Sequence, residues 1–402
     1  MFARHLSKTL RAAARDYPVV TLTGPRQSGK TTLVRTAFPR HIYASLEDPD
    51  VRAFATEDPR GFLGQFRGRV ILDEVQRVPD LFSYIQGIVD HVDRPGHFIL
   101  SGSQNFLLLH RVSQTLAGRC AVLRLLPFSR SELIARPIRD IAKSLQLRRS
   151  GGSTDQKTAA DPFETLFTGG FPRIHDKGLK PQSWLANYYQ TYLERDVRDL
   201  LNVGDLEGFG RFVRLCAGRS GQLLNASSLA ADAGVSHTTA RRWLSILEAS
   251  FVIYLLRPHH RNFNKRLVKS PKLYFLDTGL LCYLLRVQNP ADLIAHAARG
   301  AIFETWVVSE ALKNFYNRGV EPDVYFWRDS AGHEIDLLID QGSKQIPVEV
   351  KSGQTIASDF FADIDYWRNL ARQPAGGAAL VYGGDASSKR RGVSVLSWSD
   401  WA

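Results

Sequence analysis

Short apolar runs alternate with helical spacing over the first third of the chain. The runs are Val19-Val20-Thr21-Leu22, Ile42-Tyr43-Ala44, Val70-Ile71-Leu72, Phe98-Ile99-Leu100 and Ala121-Val122-Leu123. They are too short for helices, lack polar alternation and are separated by helix-length connections. They therefore predict an α/β domain whose mostly parallel sheet is buried on both faces by helices. Ahead of them, Phe2, Leu6 and Leu10 lie on one side of an expected amphipathic helix. Arg4, Arg11 and Arg15, with no acid before Asp16, imitate an organellar transit peptide, but a core strand from Val19 leaves no room for removable sequence.

Pro127, Ser129, Ser131 and Glu132 open a helical region. The stretch Arg148 to Pro162 is polar, glycine-bearing and without periodicity, which predicts a linker or disordered loop. Helical spacing then runs from Phe163 to about Leu285, interrupted by a two-stranded candidate at Phe251–Leu256 and Lys272–Leu276. After Gly300, an amphipathic helix (Phe303, Val307, Val308, Ala311, Leu312) precedes strand-like runs at Val324–Trp327, Ile335–Ile339 and Ile346–Val350. The expected partition is 1–137, a connector at 138–162, a helical region at 163–295 and a small α/β domain at 296–402.

Composition narrows the picture. With 402 residues and 44% hydrophobic content, the chain can bury several cores. Its 52 Lys+Arg against 40 Asp+Glu leave +12, which favours a polyanionic partner, either nucleic acid or an anionic membrane face. No apolar stretch approaches the roughly 18 residues of a transmembrane helix. Cys120, Cys216 and Cys282 are isolated, which excludes a disulfide framework and a Cys-rich zinc site. The expectation is a reduced, cytoplasmic, soluble protein.

After the first run comes Gly24-Pro25-Arg26-Gln27-Ser28-Gly29-Lys30-Thr31, a complete G-x-x-x-x-G-K-T, followed by Thr32 and a helical pattern. Such glycines let backbone N–H groups wrap phosphates, and the helix N-terminus adds favourable dipole charge. Lys30 is placed to reach the β- and γ-phosphates of ATP, and the Thr31 hydroxyl to ligate Mg²⁺. Val70-Ile71-Leu72-Asp73-Glu74 supplies a strand ending in acids, with Asp73 for the Mg²⁺ shell and Glu74 to orient or deprotonate the attacking water. Ser103, at the end of the next strand, is the candidate for touching the γ-phosphate or that water.

These three elements resemble the AAA+ ATPases. Leu116-Ala117-Gly118-Arg119, Leu126-Pro127-Phe128-Ser129 with Glu132, Tyr192-Leu193-Glu194-Arg195-Asp196-Val197 and Lys269-Ser270-Pro271-Lys272-Leu273-Tyr274-Phe275-Leu276-Asp277-Thr278-Gly279-Leu280 extend the likeness. They resemble a prokaryotic group of AAA-type ATPases fused to a C-terminal domain of uncharacterised function. The resemblance implies an ATP-binding fold over nearly the whole chain. Arg119 is either a plain surface or interdomain arginine or, in a homo-oligomer, an arginine finger for a neighbouring subunit.

Ser227 to Leu247 has helix-turn-helix spacing, with Ser227 and Ser236 as expected caps, Gly234 at the turn, and Ala240, Leu244 and Leu247 facing inward. His237, Thr238, Thr239, Arg241 and Arg242 would face outward, towards phosphates or base edges. The strand after it suggests a winged form. Eight Lys/Arg between Arg241 and Lys272 (241, 242, 257, 261, 265, 266, 269 and 272), against Glu248 alone, make DNA the expected partner; packing on another domain or protein is the rival reading.

Finally, Glu304, then Glu334-Ile335-Asp336, then Glu349-Val350-Lys351 resemble the PD-(D/E)XK nuclease core, with Ile335 in place of the proline. The resemblance implies Mg²⁺ at Glu304, Asp336 and Glu349, and Lys351 positioning or activating water. The alternative is a nucleotide-dependent switch that binds a protein partner or DNA without cleaving it.

Overall fold

The computed structural model describes residues 2–103, 115–147, 161–193, 205–259, 268–372 and 377–401. Most of the expected linker, 148–160, lies outside the described residues.

Five strands, β1 (Val19–Thr23), β2 (Ile42–Ser45), β3 (Val70–Asp73), β4 (Phe98–Gly102) and β5 (Cys120–Arg124), form an all-parallel sheet. Its order is β2-β3-β4-β1-β5. Strands β1, β3 and β4 are buried along their whole length, which is why their sequences show no polar alternation. One face packs Val19, Leu72, Phe82 and Leu100; the other packs Leu6, Leu10, Val20, Leu22 and Leu33. The order places β4 between β1, which leads into the glycine loop, and β3, which ends at Asp73. Asp73 consequently stands in register with Ser101.

The N-terminal helix runs from Leu6 to Asp16 and buries Leu6 and Leu10. Phe2 lies ahead of it and packs its ring on Phe128 at 5.1 Å between centroids. Between them, Arg4 is buried. Its Nε donates to Glu132 Oε1 at 3.0 Å, and its terminal nitrogens donate to the carbonyls of Ser28 and Leu126, each at 2.7 Å. Glu132 also closes a capping box with Ser129 at the start of the helix Arg130–Leu133. One side chain thus joins the N-terminus, the glycine loop and the segment leaving the sheet.

In the helical region, Leu206–Ala217, Ala226–Ala233 and His237–Ala249 are followed by β6 (Ile253–Leu256) and β7 (Lys272–Phe275), an antiparallel pair. The first helix of the turn starts earlier than its spacing suggested. Asn225 rather than Ser227 caps it, accepting from Ser228 N at 3.0 Å. Gly234 takes the left-handed turn (φ 72°), and Ser236 caps the second helix as expected, accepting from Thr239 N at 3.1 Å. Ala240, Leu244 and Leu247 face inward, joined by Trp243 against the rings of Phe209 and Phe212.

The C-terminal part begins with the helix Arg299–Asn317, then β8 (Val324–Arg328), β9 (Glu334–Asp340) and β10 (Gln345–Lys351). The helix Ala362–Ala371 follows, with β11 (Ala378–Tyr382), β12 (Ser388–Arg390) and β13 (Val393–Ser397) completing a mixed sheet in the order β12-β13-β11-β10-β9-β8. Leu244, Phe275, Phe303, Val348 and Val381 belong to one apolar cluster, so the helical region and one face of this sheet share a core. The sheet's other face packs on the helix Ala362–Ala371 through Ile364 and Trp367. No helix among the described residues is long and apolar enough to cross a membrane.

Removing one member of a buried ion pair strands its partner, at a cost of about 3–5 kcal/mol. Arg4→Leu should therefore lower the melting temperature by several degrees, whereas Arg11→Leu, on the helix that follows, should not. Equal melting of Arg4→Leu and wild type in a thermal scan would show that Arg4 is not the anchor.

Candidate nucleotide site and carboxylate cluster

Gly24 leaves β1 with φ 153°, and a Cβ built there would lie 2.1 Å from the Leu125 carbonyl oxygen, so no side chain can be accepted. Gly29 opens the helix Lys30–Ala37 in the left-handed region, φ 89°. Between them Pro25, Arg26, Gln27 and Ser28 form the loop, with Gln27 also at positive φ. Ser28 is fully buried, and its hydroxyl has no partner among the described residues. Lys30 folds back to donate to the carbonyls of Gly24 (3.0 Å) and Pro25 (2.8 Å). Burial lowers its pKa to about 8; Glu74 and Asp73 oppose that shift and Arg26 adds to it. Thr32 sits exposed in the first helical turn.

Asp73 is surrounded by donors. The Thr31 and Tyr43 hydroxyls donate to its Oδ2 at 2.7 and 2.9 Å, Ser101 donates to its Oδ1, and Glu74 N reaches Oδ1 at 3.2 Å. Glu74 turns out of the strand at φ 54°. Its Oε2 accepts from Gln76 Nε2 at 2.6 Å and from the Ser103 hydroxyl at 3.2 Å. Ser103, expected at the phosphate or the water, thus holds the acid beside them. The glycine-restricted backbone, the buried cation and the Thr31–Asp73 contact fit a nucleoside triphosphate with Mg²⁺. Sequence reasoning missed Tyr43, Ser101 and Gln76. Only the strand order brings the first two to Asp73.

The second cluster contains a residue that the sequence placed elsewhere. Lys272, counted in the solvent-facing basic stretch, is 3% exposed and points from β7 into the acids. Its ammonium lies 2.9 Å from Glu304 Oε1 and 3.7 Å from Asp336 Oδ1, and it also pairs with Glu334. Tyr274, two residues along the same strand, donates to Glu304 Oε1 at 2.5 Å. Burial opposes the charge on Lys272, but Tyr274, Glu304, Asp336 and Glu334 raise its pKa well above the ordinary value. On the other side Lys351 donates to Glu349 Oε1 at 2.7 Å, and Asp336 Oδ2 accepts from Val350 N at 2.9 Å. Glu349 Oε2 is buried without a partner among the described residues. Burial, reinforced by Asp336, pushes the Glu349 carboxyl well above its usual range. Among the described residues no three His, Cys, Asp or Glu side chains stand as a metal cage. As arranged, Glu304, Asp336 and Glu349 do not fit a divalent ion, because Lys272 already supplies the cation.

The remaining basic stretch is mixed. His237, Thr238, Arg241 and Arg242 are exposed on the second helix of the turn, with Thr239 partly buried, and Arg257 and Lys269 are exposed. Arg261, Lys265 and Arg266 lie outside the described residues, as do 194–197 of the family-like text. Arg119 pairs with Asp90 just before β5, at the sheet end opposite Lys30.

An AAA domain model matches residues 16–134, and two domains of unknown function, DUF8612 and DUF4143, match 160–291 and 299–401. The uncharacterized proteins Rv2008c of Mycobacterium tuberculosis and Mb2031c of Mycobacterium bovis are each 32% identical over 357 residues, 88% of this chain and 74% of theirs. Among solved structures, the Walker-type ATPase PABY2304 of Pyrococcus abyssi aligns at TM-score 0.39 and 16% identity, over 71% of this chain and 96% of that one. AMPPCP-bound DnaA from Aquifex aeolicus aligns at TM-score 0.28 and 18% identity, over 60% of this chain and 85% of that one.

Burial, then Glu304 and Glu334, push the Asp336 carboxyl up from 3.8 to about 7 against the pull of Lys272 and Lys351. A raised carboxyl pKa stabilises the fold below the unfolded value, and that contribution is lost as pH rises through the folded one. Asp336→Asn escapes the loss. It should melt above wild type at pH 8, with the difference shrinking as pH falls towards about 4. A gap independent of pH in melting curves would contradict the assignment.

Proposed function

The chain belongs to the family of the mycobacterial proteins Rv2008c and Mb2031c, with an AAA domain at residues 16–134, and from that premise we propose that it binds and hydrolyses Mg-ATP. The observation that carries this reading is the Thr31 hydroxyl held 2.7 Å from Asp73 at the mouth of the glycine loop, with Glu74 beside it. The loop from Gly24 to Thr32 holds the phosphates, and Lys30 exchanges its two carbonyl partners for phosphate oxygens. Thr31 and Asp73 hold the Mg²⁺, which neutralises charge on the phosphates when bound. Glu74, steadied by Gln76 and Ser103, accepts the proton of the attacking water.

Hydrolysis in this reading gates a DNA-associated activity of the C-terminal part, with Arg241, Arg242 and Lys269 as phosphate contacts and a winged helix presenting them. A second reading, a nucleotide-dependent switch that binds DNA or a protein partner without nuclease activity, is favoured by Lys272. A nuclease-like site at Glu304, Asp336, Glu349 and Lys351 requires that ammonium to withdraw. Arg119, at the far end of the sheet, reaches phosphates only if a neighbouring copy of the chain presents it.

Lys30→Ala should abolish ATP binding. Glu74→Gln should retain binding and lose turnover by about 100-fold or more. Wild-type affinity should fall as pH rises through about 8, because the phosphates need Lys30 protonated and its pKa is lowered to that value. Equal turnover by Glu74→Gln and wild type in a phosphate-release assay would remove Glu74 from its role.

Lys272→Met keeps the buried stem and deletes the charge. Calorimetry with Mn²⁺ should show in this variant a binding event that wild type lacks and that is lost again in Lys272→Met with Asp336→Ala. No heat in Lys272→Met, with its fold intact by circular dichroism, would exclude the metal site.

A further inference from the structure

A parallel sheet gathers on one edge every residue that precedes a strand. Here that edge lies opposite the glycine loop, and its backbone ladder fixes which residues line up. Ile42 N donates to Arg69 O (3.0 Å), Val70 N to His97 O (2.9 Å), Phe98 N to Pro18 O (3.0 Å) and Val19 N to Arg119 O (3.3 Å). The residues entering the strands therefore run His41, Arg69, His97, Pro18 and Arg119 across the sheet. At a strand spacing of about 4.8 Å, the row spans about 19 Å.

The row is basic and largely unpaired. Arg69 is exposed, as are Arg40, Arg67 and Arg94 in the loops that feed the same strands. None of these four side chains makes an ion pair or hydrogen bond among the described residues. Arg15 is exposed at the end of the N-terminal helix on the same edge. The exposed acids of these loops are Asp16, Asp93 and Asp90, the last already paired with Arg119. The two half-buried histidines register the crowding of charge. His41, whose Nε2 faces the Gly96 carbonyl at 3.1 Å, has its pKa lowered by burial and by Arg69. His97 has its pKa lowered by burial, Arg94 and Arg69, with no acid opposing. Tyr17, 39% exposed, stands beside Pro18 in the middle of the row, with its carbonyl accepting from Gly96 N at 2.8 Å.

We propose that this edge of the ATPase sheet is a binding track for single-stranded nucleic acid, with Arg40, Arg67, Arg69 and Arg94 on successive phosphates and Tyr17 offering a stacking face to a base. The chemistry suits that occupant. The free cations are all arginines, whose planar forks match phosphate oxygens, and they form a line rather than a pocket. An aromatic beside a positive track is the recurring arrangement for single strands. A membrane face would need a broad apolar surface to insert, and the large exposed apolar side chains here are only Tyr17, Ile42 and Val92 among the described residues, set apart on different strand entries. The proposal does not depend on Arg241 and Arg242.

The experiment uses the full chain and a labelled mixed-sequence DNA strand of about 20 nucleotides, followed by anisotropy over a salt series. Four phosphate contacts on a single strand contribute a log–log salt slope of about 3. The variant with Arg40→Gln, Arg67→Gln, Arg69→Gln and Arg94→Gln should lose that much slope and retain ATP binding. The corresponding four Arg→Lys changes should keep the slope, and Arg241→Gln with Arg242→Gln should leave this contribution in place. Three results overturn the proposal: no binding by wild type, a slope unchanged in the four-glutamine variant, or binding to phosphatidylserine vesicles without binding to the oligonucleotide.

Discussion

The buried guanidinium of Arg4 is the constraint on which the architecture turns. It donates to the glycine loop at Ser28, to the exit of the parallel sheet at Leu126 and to Glu132. The chain next to Glu132 carries the linkage onward. Arg130 N donates to Glu310 Oε2 at 2.9 Å, and Lys313 bridges Glu310 Oε1 (2.8 Å) and the Phe128 carbonyl (3.0 Å). Glu310 and Lys313 lie on Arg299–Asn317, the helix that also carries Glu304. A buried charge tolerates little displacement before its partner is left unsatisfied. Movement of the loop around phosphates is therefore opposed or transmitted at Arg4 rather than absorbed by solvent.

The two carboxylate sites solve the same electrostatic problem in different ways. Asp73 is 3% exposed, and every contact the structure gives it is a neutral donor: two hydroxyls on Oδ2, a hydroxyl and an amide on Oδ1. Hydroxyls can rotate, so Thr31 and Asp73 can turn from each other to a shared cation. Asp336 faces a lysine fixed on a strand whose partner strand and neighbouring helix are packed in the same core. Its cation is built in. The same residue type is thus open to Mg²⁺ at one site and closed at the other.

What the sequence made legible follows from locality. The glycine loop is contiguous, so its identity needs no tertiary information, and Asp73-Glu74 follows directly from the strand it ends. Ser101 and Tyr43 were invisible because their meaning depends on β4 lying between β1 and β3, and on β2 lying beside β3. Lys272 was misread because a charge count cannot tell which side of a strand faces a neighbour. Residues 272 and 274 share a face, and that face turned out to be the acids. Strands β11 to β13 escaped notice although Ala378–Tyr382 is as apolar as β1.

The surplus of positive charge makes the same point in reverse. Composition gives +12 without a location, and linear clustering directed attention to the stretch from Arg241 to Lys272. Part of that stretch is spent internally, since Lys272 neutralises a buried carboxylate cluster. The arginines on the sheet edge show no clustering in sequence, because Arg40, Arg69, Arg94 and Arg119 each precede a different strand. They become neighbours only because every crossover in a parallel sheet returns the chain to the same end. The edge that receives those returns carries the free arginines, while the opposite edge carries the glycine loop, Asp73 and Glu74. A single topological rule thus places the glycine loop and the free arginines at opposite ends of the strands, one short strand length apart.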